Sequence, residues 1–190
     1  NTTLDEFMTK MRKVQYQLVP YQQQLKISIK MALNKVATAQ KTVAKKVRSE
    51  LSEPNDNLEM LKISLTDAST MNDYSLVAWP RLPDKPMDPN TIKLRSSVCD
   101  IKSRDYNSIK GFAKDNSSKI TYDREALNAS TITQVSASNK KVQAQSTAIL
   151  DVINATLNVE SIYKAYMKKL EWALNETELL REEYTSPCGK

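Results

Sequence analysis

Apolar side chains recur at intervals of three and four residues over the first fifty positions of the chain. With about 100° of rotation per residue they fall within one arc of a helical wheel, and the arc does not drift. Thr3 and Glu6 form a capping box, which predicts the start of the helix. Pro20 lies inside this pattern, and because the arc continues past it we expect a kinked but continuous helix. The apolar arc consists of Leu4, Phe7, Met11, Val14, Leu18, Leu25, Ile29, Ala32, Val36, Val43, Val47 and Leu51.

A cluster of turn-forming residues at 52–56 predicts the end of this first helix. A shorter helix is expected over about 57–77, capped by Asp56 or Asn57. Four prolines then follow at three-residue intervals, which indicates a Pro-rich, polyproline-like connector over about 79–90. We interpret it as a stiff linker, with a recognition segment as the alternative. The inward residues of the second helix are Leu58, Leu61, Leu65, Ala68 and Met71, and the prolines are Pro80, Pro83, Pro86 and Pro89.

The second half of the chain predicts two more helices. The third covers about 90–112, with Cys99 near its apolar face and Gly111 at its end. After a polar stretch at 114–122, neither proline nor glycine occurs before Pro187, so a fourth helix of roughly sixty residues is expected. A seven-residue repeat runs along it, which is typical of lengthwise helix packing, here within the chain. The inward residues of the third helix are Leu94, Val98, Ile101 and Ile109. The repeat of the fourth helix consists of Val135, Val142, Ile149, Thr156, Tyr163 and Leu170. A companion row between these positions contains Ile132, Ile153, Met167 and Leu174 and is interrupted by Asn139, Ser146 and Glu160.

Composition supports an all-α fold. Only two glycines occur in 190 residues, Gly111 and Gly189, so the positive-φ turns that a many-stranded fold needs are missing. With 40% hydrophobic and 26% charged residues, the chain can fill one core. We therefore predict a single helical domain over 1–190, built as an elongated bundle of two long and two shorter helices.

Several features indicate a secreted, extracellular glycoprotein. No run of residues approaches the roughly eighteen consecutive apolar positions that span a bilayer, and Asn1 does not resemble a signal-peptide start, so the numbered chain is expected to begin after processing. Five Asn-X-Ser/Thr sequons occur where the composition predicts about two. Cys99 and Cys188 are an even pair, and in an extracellular chain we expect a disulfide between them, with two unpaired thiols as the alternative. The expected glycosylation sites are Asn1, Asn116, Asn128, Asn154 and Asn175.

The residue types that most catalysis needs are missing from the sequence. Without histidine the chain lacks the commonest general base and the commonest zinc ligand. Two glycines cannot form a phosphate-binding loop or a dinucleotide fingerprint. Glu178, Glu182 and Glu183 cluster near the end of the fourth helix, and without histidine partners they are interpreted as a solvated acidic turn. We therefore expect no enzymatic activity, no catalytic residue, no metal and no cofactor.

Positive charge is concentrated in the first helix. Residues 1–50 contain ten Lys and Arg against three acids, so they carry +7 and the rest of the +6 chain carries −1. Six of these cations flank the apolar arc on one side as a basic ridge, which could dock a sulfated polysaccharide, an anionic lipid surface or an acidic protein. An ordinary solvated helix face is the alternative, and nucleic acid is not expected because the ridge has no interleaved aromatic residues. The ridge consists of Arg12, Lys26, Lys30, Lys41, Lys45 and Arg48.

The start Asn1-Thr2-Thr3, the scattered sequons, the near-total helicity and the closing residues 186–190 (Ser-Pro-Cys-Gly-Lys) together resemble the small secreted α-helical salivary proteins of blood-feeding insects. The resemblance covers the whole chain, contains no diagnostic motif and transfers no site residue. It implies a non-enzymatic effector that binds a haemostatic factor, an immune receptor or a small mediator of a vertebrate host. An exchangeable, apolipophorin-like lipid-binding bundle and a cytokine-like signalling ligand are the alternatives. We expect a monomer or a weak homo-oligomer.

Overall fold

The computed structural model describes residues 2–43, 49–78 and 103–184. Over these residues the protein is all-α, with four α-helices, two short 3₁₀ turns and no strand. The helices are α1 (Thr2–Val43), α2 (Ser52–Ala78), α3 (Ser103–Thr131) and α4 (Lys140–Tyr184); the 3₁₀ turns are Ser49–Leu51 and Ile132–Gln134. Helices α1 and α4 have 42 and 45 residues, and α2 and α3 have 27 and 29. The predicted bundle of two long and two shorter helices is confirmed.

The four helices alternate in direction around the bundle, and each packs against two neighbours. Gln22 on α1 lies opposite Ser75 on α2, whereas Gln40 lies opposite Glu59, so these two helices are antiparallel. The same reversal holds between α2 and α3, between α3 and α4, and between α4 and α1. An up-down-up-down bundle of this kind buries one apolar stripe from every helix.

The apolar arc of α1 faces the core as predicted. Phe7, Met11, Leu25, Ile29 and their partners in the arc are buried wherever their side chains are described. Helix α1 continues through Pro20, whose ring is exposed. A proline in a helix interior removes one backbone hydrogen bond, and the packing of the apolar residues on both sides of it compensates for this loss.

Helix α2 begins earlier than predicted. Residues 52–56 were expected to form a turn, but they make the first turn of α2, while Leu51 belongs to the preceding 3₁₀ turn and not to the first helix. Pro54 is buried in this first turn, where a backbone N–H would have no partner within the helix. The inward positions of α2 are confirmed: Leu58, Leu61, Leu65 and Ala68 are buried, and Met71 is partly buried.

The boundary between the third and fourth helices differs most from the prediction. Gly111 and the polar stretch at 114–122 lie inside α3, which continues to Thr131. The fourth helix begins only at Lys140, because Asn139 caps it: the Asn139 side-chain oxygen accepts hydrogen bonds from the backbone N–H groups of Lys141 (3.0 Å) and Val142 (3.4 Å). Helix α4 is therefore shorter than expected, and residues 90–102 of the predicted third helix lie outside the described residues, as does the connector at 79–90.

The seven-residue repeat of α4 is the seam that holds it in the bundle. Val142, Ile149, Thr156, Tyr163 and Leu170 are all buried. The first expected member, Val135, lies in the turn before α4 and does not belong to the repeat. The predicted companion residue Ile132 also precedes α4, and its side chain is 53% exposed. Thr156 tolerates burial because its hydroxyl donates to the backbone carbonyl of Val152 at 2.8 Å.

Candidate functional site

The described lysines of the basic ridge lie on the exposed side of α1, and Lys26 lies at the edge where α1 meets α2. Lys26, Lys30 and Lys41 are exposed on α1, and the Lys26 ammonium lies 3.5 Å from a carboxylate oxygen of Asp73 on α2. Arg12 is partly buried, and one of its terminal guanidinium nitrogens has no hydrogen-bond partner. The side chains of the last two members, Lys45 and Arg48, lie outside the described residues. The structure thus brings three exposed lysines of the predicted ridge onto one helix, with one of them paired.

The basic surface of α1 is wider than the predicted ridge. Lys13 and Lys35 are also exposed on α1, on the other flank of its outward side. From residue 7 to residue 49 the chain contains ten Lys and Arg and no Asp or Glu. This absence of acids was the available signal for the wider surface, whereas the predicted ridge included only the cations on one side of the wheel. We call the exposed cations Lys13, Lys26, Lys30, Lys35 and Lys41 the basic face of α1.

Large apolar side chains lie exposed among these cations. Tyr16 is 68% exposed, Ile27 is 59% and Met31 is 56%, and Val19 is also exposed. Ile27 and Met31 line a shallow groove with Asn158 and Ile162 of α4. The outward surface of α1 therefore offers both positive charge and apolar contact area.

A second concave surface has a different electrostatic character. A groove of about 570 Å³ between α2 and α3 is lined by Met60, Ile63 and Tyr122, together with charged residues of both signs. Asp123 accepts a hydrogen bond from Ser64 at its base, and Asp67 lies on its rim. Two carboxylates in the groove disfavour an anionic ligand there.

The sequons occupy very different environments. Asn154 and Asn175 are exposed on α4, and Asn128 is partly buried on α3. Asn116 is only 8% exposed and its side chain lies within hydrogen-bonding reach of the Tyr163 hydroxyl, so a glycan there would have to displace core residues. Asn1 and both members of the expected Cys99–Cys188 disulfide lie outside the described residues.

A layer of buried polar side chains crosses the bundle at mid-height, and sequence reasoning missed it. Each helix contributes to it. The Gln22 side chain donates to the Ser75 hydroxyl at 3.4 Å, and the Asn72 amide donates to the backbone carbonyl of Gln22 at 3.0 Å. The Tyr163 and Tyr166 rings meet edge to face with their centroids 6.3 Å apart. The layer consists of Gln22, Asn72, Ser75, Asn116, Tyr163 and Tyr166, and we call it the polar layer.

Burial raises the pKa of both tyrosines of the polar layer above the ordinary value of 10.0, and the neighbouring Tyr166 adds to the shift at Tyr163. A raised folded-state pKa means that the unfolded chain loses these protons first. Stability is therefore expected to fall as the pH rises through about 10, with a slope that approaches about 1.4 kcal/mol per pH unit near pH 11 for a tyrosine that keeps its proton in the folded state. Urea titrations at pH 9 to 11 should show this slope, and the double variant Tyr163→Phe/Tyr166→Phe should show a shallower one. Equal slopes would contradict the assignment.

The described residues contain no cluster of three or more His, Cys, Asp or Glu that could hold a metal ion. Within the same ranges, no helix combines the length and the apolar character needed to cross a membrane. No protein-family model matches the chain, and comparison with the curated proteins found no match.

Proposed function

We propose that the protein is a secreted, non-enzymatic binding protein whose basic face of α1 docks on an anionic partner outside the cell. The partner is an acidic protein surface or a sulfated polysaccharide. One observation carries the proposal: ten basic and no acidic residues lie between positions 7 and 49, and at least five of these cations are exposed on one helix. In the salivary context that the sequence resembles, such a partner would belong to the host.

The charge distribution supports this assignment. Residues 7–49 carry +10, whereas the remaining residues, with 18 basic and 22 acidic side chains, carry −4. Such an asymmetry orients a protein in the field of a polyanion and accelerates encounter. Release of counterions from the polyanion then makes the binding strongly dependent on salt, by the same physics that governs binding to nucleic-acid phosphates.

The exposed apolar residues of α1 supply the short-range part of the interaction. Screened charges act over about 10 Å at 0.1 M salt, so they attract a partner without fixing its position. Tyr16, Ile27 and Met31 can be covered by a partner that approaches the lysines, and aromatic residues and methionine are enriched at protein interfaces. This combination favours an acidic protein surface or a polysaccharide with apolar sugar faces over a free inorganic anion.

The proposal is tested by reversing charge on α1 without touching the core. In Lys30→Glu/Lys41→Glu, both positions are exposed, so the fold and the helical signal should remain unchanged. Binding to heparin, measured by titration calorimetry at several salt concentrations, should weaken at least tenfold, with a smaller salt dependence than in the parent. The matched control is Lys114→Glu/Lys164→Glu, which makes the same change in net charge on α3 and α4.

Equal losses in the two variants would mean that net charge alone governs binding, and the basic face of α1 would not be a site. Retention of full heparin affinity by Lys30→Glu/Lys41→Glu would contradict the proposal directly. Vesicles with and without phosphatidylserine provide a second probe, because basic helices with exposed apolar residues also bind anionic membranes. Binding to such vesicles but not to heparin would favour the lipid-binding alternative.

A further inference from the structure

Helices α2 and α3 expose apolar side chains along the seam where the two helices meet. The groove of about 570 Å³ lies at one end of this seam, and at the other end Met71, Tyr74 and Phe112 line a smaller hollow. Exposed apolar patches on soluble proteins mark interaction surfaces. Five large apolar side chains along the seam are between 47% and 73% exposed, namely Met60, Ile63, Tyr74, Phe112 and Tyr122.

The spacing of these residues is that of a helix-packing surface. On each helix the outward residues along the seam recur at intervals of three and four, as in helices that pack lengthwise on other helices. The sides of α2 and α3 that face the core carry a separate, buried apolar row. Each helix therefore has a second row, on its solvent side. We call the two outward rows together the α2–α3 face, which consists of Met60, Ile63, Asp67, Met71 and Tyr74 of α2 and Phe112, Asp115, Lys119 and Tyr122 of α3.

We propose that the protein forms a homodimer in which the α2–α3 face packs against the same face of a second copy. The two helices have 27 and 29 residues, so each is about 40 Å long. Side by side they present a surface about 20 Å wide. Each protomer can thus contribute about 800 Å², which is the area that a standard-sized protein interface buries on each partner. A small ligand would cover only the groove at one end, whereas a second copy covers both rows.

The charges of the two helices select the arrangement of the dimer. Helix α2 contains five acidic residues and one basic residue, whereas α3 contains five basic and four acidic residues. Packing α2 on the partner's α2 would bring like charges together, which is unfavourable. A two-fold axis parallel to the helices instead places each α2 on the partner's α3.

This axis also pairs individual residues across the interface. Rotation about it leaves every residue at its own height along the bundle. Asp67 and Lys119 line the same groove, so they lie at similar heights, and Asp67 is brought opposite the partner's Lys119. Because the dimer is symmetric, this ion pair forms twice. The apolar residues of each α2 row meet Phe112 and Tyr122 of the partner in the same way.

The dimer leaves the basic face of α1 uncovered, because the α2–α3 face contains no residue of α1. The inference therefore does not rest on the proposed function. If both hold, each dimer presents two basic faces to one polyanion, and linked binding of this kind raises the overall affinity without any new contact.

Sedimentation velocity of the full chain tests the proposal. Interfaces of this size have dissociation constants of micromolar or below, so protein at about 1 to 500 µM should show a dimer. Ile63→Glu places a charge in the α2–α3 face and should raise the dissociation constant at least about tenfold. The matched control is Leu157→Glu on α4, because Leu157 has an isomeric side chain and is 44% exposed against 48% for Ile63; it should dimerise like the parent. A parent that is monomeric over this whole range, or equal dimerisation of the two variants, would overturn the proposal.

Exchange of charges between two variants tests the arrangement itself. Asp67→Lys places two lysines opposite each other and Lys119→Asp two aspartates, so each variant alone should dimerise about fivefold more weakly than the parent. Both positions are exposed, and the helical signal should not change. In an equimolar mixture the mixed dimer regains opposite charges at both contacts and should form with nearly the affinity of the parent. A mixture that dimerises as weakly as the separate variants would contradict the packing of α2 on the partner's α3.

Discussion

Replacing Ile29 with alanine is expected to lower the free energy of unfolding by about 3 kcal/mol. Ile29 is fully buried on α1, where that helix packs along α4, and the truncation removes three methyl or methylene groups from the centre of the core. The cost has two parts, the lost transfer of apolar atoms out of water and the cavity that remains. Because α1 and α4 are rigid rods packed over most of their length, we expect little collapse around this cavity.

Ile27 provides the matched control, because it lies two residues away on the same helix and is 59% exposed. Ile27→Ala makes the same chemical change with the same effect on helix propensity, and its cost should stay within about 0.5 kcal/mol. Urea denaturation followed by circular dichroism measures both. For a chain of this size the core variant should also melt about 6 to 12 °C lower. Similar losses for the two variants would mean that the arc of α1 is not the buried face.

The core faces of α1, α2 and α4 could be predicted because a helix with a buried stripe repeats the same signal every turn. The burial of Leu25 or Ile149 does not have to be predicted from that residue alone, because a helical wheel that buries the neighbouring apolar residues also buries it. The helix boundaries had no such redundancy. Gly111 was a plausible helix end, but the helix continues through it. A Cβ added at Gly111 would meet nothing within 4 Å, so no neighbouring atom requires a glycine there. Glycine in a helix interior costs about 1 kcal/mol relative to alanine, and the packing of Ile120 and Leu127 outweighs this cost.

The candidate site was predictable to a similar degree and for a related reason. The exposure of lysines such as Lys30 and Lys41 can be predicted without the tertiary structure, because any helix that buries the opposite arc leaves them in water. The polar layer could not be found in this way. Gln22, Asn72 and Asn116 are unremarkable in the sequence, and only the alignment of four helices brings them together.

Glu160 illustrates the same limit. In the sequence it interrupts the companion row of the α4 repeat, and the structure supplies the reason. Arg124 on α3 donates two hydrogen bonds to its carboxylate, from Nε at 2.8 Å and from a terminal nitrogen at 2.9 Å, and the Thr121 hydroxyl donates a third at 2.7 Å. The side chains of Arg124 and Glu160 are only 18% and 15% exposed. The charged Glu160 can occupy the seam because Arg124 on the neighbouring helix α3 pairs with it.

Breaking this pair from one side should therefore be costly. Arg124→Met retains the apolar stem but leaves the Glu160 carboxylate partly buried with a single hydroxyl donor, and we expect a loss of about 3 kcal/mol in the free energy of unfolding. Arg124→Met/Glu160→Leu removes both charges and should recover most of that loss, because well-packed apolar residues can replace a buried ion pair at little cost. With Glu160→Leu alone, the four proteins form a double-mutant cycle that isolates the interaction.

The pH dependence of the cycle distinguishes an ion pair from mere packing. Burial by itself would raise the pKa of Glu160, but the hydrogen bonds from Arg124 and Thr121 and the charge of Arg124 bring it below the ordinary value of 4.5. A lowered folded-state pKa gives a stabilising contribution that is complete above pH 4.5 and is lost as the pH falls through the folded-state value. The coupling energy from urea titrations should therefore be constant between about pH 6 and 8, where Arg124 stays protonated, and should shrink progressively below about pH 4.5. A coupling energy that does not change down to pH 2 would show that Arg124 and Glu160 stabilise the bundle through their apolar stems, not through their charges.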